Sequence, residues 1–108
     1  MKTRKETLSD VMQLAWQFVK TNGMGLSEAL RTAWRNVKLR AAMSVRIVKF
    51  WFQKVDGTTR EAYGTLAERF LPAAQGAGRR ANATVQTYFD TERREYRCFK
   101  KANLLSIA

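Results

Sequence analysis

The hydrophobic period of the chain changes once, at Val45, and that change limits the fold more than any other feature. Before it, Leu8, Val11, Met12, Ala15, Phe18 and Val19 recur at three- and four-residue spacing, the signature of an amphipathic helix. Residues 8–21 therefore read as a first helix capped by Thr7, with Asp10 three residues on. Asn22-Gly23 stops it, and Ser27 with Glu28 reads as the start of a second helix over 28–42. Leu30, Ala33, Trp34, Val37 and Ala41 form its apolar stripe, while Arg31, Arg35 and Lys38 share another face. The short connection predicts a helical hairpin.

After Val45 the chain is dense in β-branched and aromatic residues up to Val55, and Asp56-Gly57 follows, a strong hairpin signal. Residues 58–66 read as the return strand. A two-residue loop would set Trp51 opposite Ala62 and Phe50 opposite Tyr63, with Val48, Phe50, Phe52 and Tyr63 on one face. Lys49, Trp51, Gln53 and Arg60 would share the other, as a stacking surface or as a seat for the helices. Residues 67–83, with a turn near Phe70, Pro72 and Arg79-Arg80, read as a long mobile basic loop. In a second hairpin Val85, Thr87, Phe89, Tyr96 and Cys98 point inward, Thr91 to Arg94 make the turn, and Tyr88 and Arg97 share the opposite face. Leu104, Leu105 and Ile107 close the chain as a short strand.

The order of elements predicts an α+β domain, with a helical hairpin and a small five-stranded antiparallel barrel. One domain covers 1–108: a basic arm at 1–6, helices over 7–43 and the barrel over 44–108. A chain of 108 residues supports one core of this kind.

Val48-Lys49-Phe50-Trp51-Phe52, Lys54-Val55-Asp56-Gly57, Arg60 to Leu66, Tyr88-Phe89-Asp90 and Tyr96 to Leu104 resemble the WYL-related, Sm-like SH3-type barrel proteins of Bacteroides-type bacteria, their phages and mobile elements. The likeness covers about residues 45–107 and implies an SH3-like barrel. Such proteins often carry glycine where Arg94 stands and tryptophan where Tyr96 stands. These motifs encode hairpins and core, so they speak to fold before function.

Chemistry is narrowed by what the chain lacks. With no histidine and one cysteine, Ser–His pairs, His-bearing zinc sites and thiolate clusters are excluded, and the expectation is a non-enzyme with no catalytic residues, metal or cofactor. Glu61, Asp90, Glu92 and Glu95 near the hairpins read as partners of nearby bases. Cys98 is expected to be buried.

Twenty Lys and Arg against nine Asp and Glu give a net charge of +11, which turns attention to phosphate. The excess is spread over the chain, eight bases against three acids in 1–43 and twelve against six in 44–108. Three patches stand out: Arg31, Arg35 and Lys38 on the second helix, Arg79-Arg80 in the loop, and Arg93, Arg94, Arg97, Lys100 and Lys101 on the last hairpin. Each is also readable as ordinary solvated charge. The leading expectation is a nucleic-acid-binding accessory protein of a mobile element or phage, cytoplasmic in a bacterial host. A module that inhibits a host protein such as a defence nuclease through an acidic surface would use the same residues. Open strand edges also permit a homo-oligomer.

Overall fold

The computed structural model describes residues 4–71 and 84–108. Two helices, α1 (Arg4–Asn22) and α2 (Leu26–Met43), precede five strands: β1 (Val48–Gln53), β2 (Thr59–Thr65), β3 (Val85–Asp90), β4 (Glu95–Lys100) and β5 (Leu104–Ile107). The strands form one antiparallel sheet in the order β4-β3-β2-β1-β5. The architecture is the α+β arrangement expected, with β4 and β5 at the sheet's edges. Among the described residues no helix is long and apolar enough to cross a membrane.

The helix starts differ from the sequence reading. α1 already includes Arg4 and Lys5, so these do not form an arm, and Thr7 lies inside the helix rather than at its cap. In α2 the cap is Gly25, and Ser27 sits in the first turn, where its Oγ accepts a hydrogen bond from Arg31 Nη1 at 3.1 Å. Gly23, at φ +67°, ends α1 as expected, because only glycine takes that conformation without steric cost.

The face that α2 buries is rotated from the predicted stripe. Ala29, Thr32, Ala33, Asn36, Leu39 and Met43 are buried, whereas Trp34 and Ala41 are exposed. Small Ala29 and Ala33 let α1 come close, so that Val11, Ala15 and Phe18 pack against them. Leu39 and Met43 continue the same face into the barrel core beside Val48, Phe50 and Phe52. Helix-to-barrel docking also uses hydrogen bonds. Asn36 Nδ2 donates to Lys101 O at 2.8 Å and to Thr32 O at 2.9 Å, and Arg35 Nη1 donates to Leu104 O at 3.1 Å.

The first hairpin is one residue out of the predicted register: Phe50 faces Ala62 and Trp51 faces Glu61. The cause is the turn. Lys54 N–H donates to Thr58 O at 2.7 Å, Gly57 N–H donates to Lys54 O at 2.9 Å, and Gly57 has φ +91°. Val55, Asp56 and Gly57 thus make a three-residue loop with a left-handed glycine, a common alternative to the two-residue turn. The extra residue moves Tyr63 to the outer face and Arg60 to the inner one.

In the second hairpin the face-sharing was correct, and Phe89 is buried as expected, against Tyr96, but the face turned to the barrel core is the other one. Tyr88 pairs with Arg97 and Gln86 with Phe99. It is Tyr88 and Phe99 that enter the core, Tyr88 fully buried, while Cys98 is exposed. A ring at Tyr88 fills the core beside Phe50 and Phe99, with centroids 5.1 and 6.0 Å away. Gly64 makes room for it: a Cβ at position 64 would lie 2.5 Å from Tyr88 Cδ2.

Candidate nucleic-acid interface

The predicted cations separate into different settings. On α2, Arg31 and Lys38 are exposed, but Arg35 is half-buried and tied to β5, so the three do not form one grip. Arg79 and Arg80 lie outside the described residues. On the second hairpin Arg93, Arg94 and Lys100 are exposed, while Arg97 is half-buried on the inner face. Lys101 turns away to the helix seam, and burial, with Arg40 nearby, holds its ammonium below the ordinary lysine range. The last-hairpin cluster is therefore Arg93, Arg94, Arg97 and Lys100, without Lys101.

Turn geometry explains the presentation of Arg93 and Arg94. Asp90 Oδ1 accepts the backbone N–H groups of Glu92 and Arg93 at 3.0 and 3.2 Å. Arg94 then takes φ +54°, a conformation that costs an ordinary residue about 1–2 kcal/mol. Asp90 itself is 1% exposed, and its Oδ2 pairs with Arg60 Nη2 at 3.3 Å across to β2.

A cavity of about 580 Å³ opens at the barrel mouth, between the tip of the first hairpin and the β3–β4 pair. Phe52 and Phe99, stacked with centroids 5.2 Å apart and planes at 21°, line its floor. Lys54, Arg60, Arg97 and Lys100 line its walls. Three polar atoms of lining residues are buried without a hydrogen-bond partner: Arg60 Nε, Arg97 Nη1 and the Tyr88 hydroxyl. Glu95 Oε1 reaches Arg97 Nη1 only as an ion pair at 3.5 Å. Burial raises the Tyr88 phenol above its ordinary value, Asp90 adds to that, and Arg60 and Arg97 oppose it. The same charges that line the mouth are thus felt at the hydroxyl.

Lys54 and Tyr88 were not among the residues expected to bind, and Arg60 was expected on the outer face with Lys49, Trp51 and Gln53. For Arg60 the signal was present: it alternates with Ala62 and Gly64 and so shares their inner face once the longer turn is allowed. On the opposite face Lys49 Nζ stands 5.2 Å from the Trp51 ring centroid and 5.7 Å from that of Tyr63, and 3.7 Å from Glu61 Oε2. Trp51 is half-buried there, outside the barrel core, so it is no seat for the helices.

No curated protein and no solved structure is significantly similar to the chain. A family model does match, over residues 36–105, from the second half of α2 to β5. That span is more than half of the chain and includes β1 to β4, the first two residues of β5, the turn at Arg94 and the described residues that line the mouth. The chain belongs to the WYL_2 family, of Sm-like SH3 β-barrel fold.

Proposed function

We propose that the protein is a non-enzymatic nucleic-acid-binding accessory protein of a bacterial mobile element or phage. A WYL-type domain points towards a nucleic-acid-related regulatory role. The observation that carries the reading is the run of cations on the edge strand β4 and its turn. Arg93, Arg94 and Lys100 are exposed there, and Arg97 lies beside them. Exposed arginines and lysines on a projecting edge reach phosphates without reading bases, which gives affinity with little sequence preference. The absence of histidine, the commonest general base, supports a non-catalytic reading.

Fluorescence anisotropy with single- and double-stranded DNA and RNA, titrated across salt, tests this. Binding that weakens steeply with salt is expected, and the double variant Arg93→Gln/Arg94→Gln should lose affinity for every sequence alike. Negligible binding at low salt would sink the proposal, and retention of an acidic protein after nuclease treatment would favour inhibition of a host protein instead.

A further inference from the structure

We propose that the flank of the helical hairpin turned away from the barrel is a docking surface for an amphipathic helix of another protein, one with acidic residues beside its apolar stripe. This goes beyond the nucleic-acid reading and does not rest on it, because it uses neither β4 nor the mouth.

Leu8, Met12 and Trp16 follow one another at four-residue steps on α1, and all three are exposed. Residues at that spacing share a helix face. An apolar stripe thus runs along α1 outside its contact with α2, which α1 makes through Val11, Ala15 and Phe18. On α2, half-buried Leu30 and exposed Trp34 stand one such step apart. Trp34 lies two positions from both Thr32 and Asn36, about 200° around the helix, and Asn36 holds the seam with the barrel through Lys101 O. Trp34 therefore points away from that seam. Right-handed helices that run antiparallel through Val11, Ala15, Ala29 and Ala33 bring the flank with Met12 and Trp16 beside the flank with Leu30 and Trp34.

Two of the chain's three tryptophans sit on this surface. Among the described residues neither ring meets another ring or a cation, whereas Trp51 has Lys49 over it. Exposed apolar patches mark interaction sites, and tryptophan is enriched among the residues that anchor protein interfaces. The borders specify the partner's charge. Lys5 and Lys20 close the α1 stripe at its two ends, and Lys38 continues that of α2. All three are exposed and, among the described residues, none is in an ion pair. The acids of the two helices lie elsewhere: Asp10 is two positions from Leu8 and Met12, Glu6 two from Leu8, and Glu28 two from Leu30, each about 200° away.

A second copy of the chain would set these lysines against their own counterparts. A lipid surface suits one broad apolar face, whereas two stripes with a furrow between them take a third helix by ridge-into-groove packing. Lys5 and Lys20 stand about 22 Å apart along α1, at 1.5 Å per residue. The partner helix is thus about four turns long, with acids near both ends.

Panning the full chain against a displayed library of helical peptides tests this, each peptide carrying a fixed leucine stripe and flanks drawn from Glu, Gln and Lys. Selected peptides are expected to carry Glu at the flanks and, on binding, to shift tryptophan emission to shorter wavelength. Trp16→Ser and Trp34→Ser should each weaken the selected peptide about tenfold with little change in Tm, since both rings are exposed. Lys5→Glu/Lys20→Glu should weaken it about threefold and improve a Lys-flanked version, a reversal that a purely apolar contact would not produce. Trp16→Ser should bind an oligonucleotide like the parent, and Arg93→Gln/Arg94→Gln should bind the peptide like the parent, so either reading can fail alone. Selection of no peptide, or of Lys-flanked ones, overturns the proposal. So does binding of phosphatidylglycerol vesicles that Trp16→Ser abolishes, which gives the surface to lipid. A light-scattering mass of twice the monomer that Trp16→Ser halves also overturns it, and gives the surface to a second copy.

Discussion

The two halves of the molecule are built to different rules. The helical hairpin meets through Val11, Ala15, Phe18, Ala29 and Ala33, an interface of small and apolar side chains. The barrel core is aromatic, with Phe50, Phe52, Tyr88 and Phe99 in mutual contact, and sets a buried carboxylate and two arginines against those rings. Among the described residues, orphaned donors occur in the barrel and not in the helix–helix contact. The remaining orphan, Asn36 Oδ1, belongs to a side chain whose amide spans the seam between the halves. Apolar burial stabilises at no polar cost. A barrel that retains buried, unsatisfied donors bears a cost that the helical half avoids. The difference separates a half held by apolar contact from a half that keeps polar groups buried among its rings.

Asp90→Ala should produce the largest effect. It leaves Arg60 without its partner and frees the turn N–H groups held by Oδ1, a loss of about 3–5 kcal/mol by analogy with broken buried ion pairs, measurable by urea denaturation. Next comes overpacking of the support. Ala33→Leu, in the close contact of α1 with α2, should cost about 1–3 kcal/mol and leave oligonucleotide binding by the folded protein unaltered. A change in that affinity would break the division of labour between the halves.

A pH series sharpens it further. The folded Tyr88 phenol titrates above its unfolded value of 10.0, chiefly because burial disfavours the phenolate. Above that pH the unfolded chain releases the proton first, so stability falls as pH rises through 10 towards the folded value. Tyr88→Phe should remove this part of the alkaline loss, seen as a flatter dependence of Tm on pH above 10. The smallest effect is expected at the turn. Arg94→Gly relieves the positive φ at the cost of glycine's extra chain entropy, for a net gain of about 0.5–1 kcal/mol, and it should weaken oligonucleotide binding by the loss of one cation.

How much of this was legible in the sequence depended on turns. Periodicity located both helices and all five strands, the closing Leu104–Ile107 strand among them, because it reports local geometry. The Asp56-Gly57 signal placed the first turn but did not fix its length, and one residue decided whether Arg60 faced solvent or the mouth. In the second hairpin alternation grouped Tyr88 with Arg97 correctly and could not tell which group faced in. Both sets mix aromatic and polar residues. The space over Gly64 takes the Tyr88 ring beside that of Phe50, a contact between strands that alternation within one hairpin does not record. The mouth itself joins β1, β2 and β4, and no sequence spacing records that meeting.

Cys98 offers a practical return on the second hairpin's reversed faces. It is the sole cysteine of the chain, it is exposed, and it stands in the lining of the mouth between Arg97 and Phe99. A thiol-reactive fluorophore would attach at one position only, without mutagenesis. Its emission would report directly on anything that settles against β4, the strand whose exposed cations carry the proposed contact with nucleic acid.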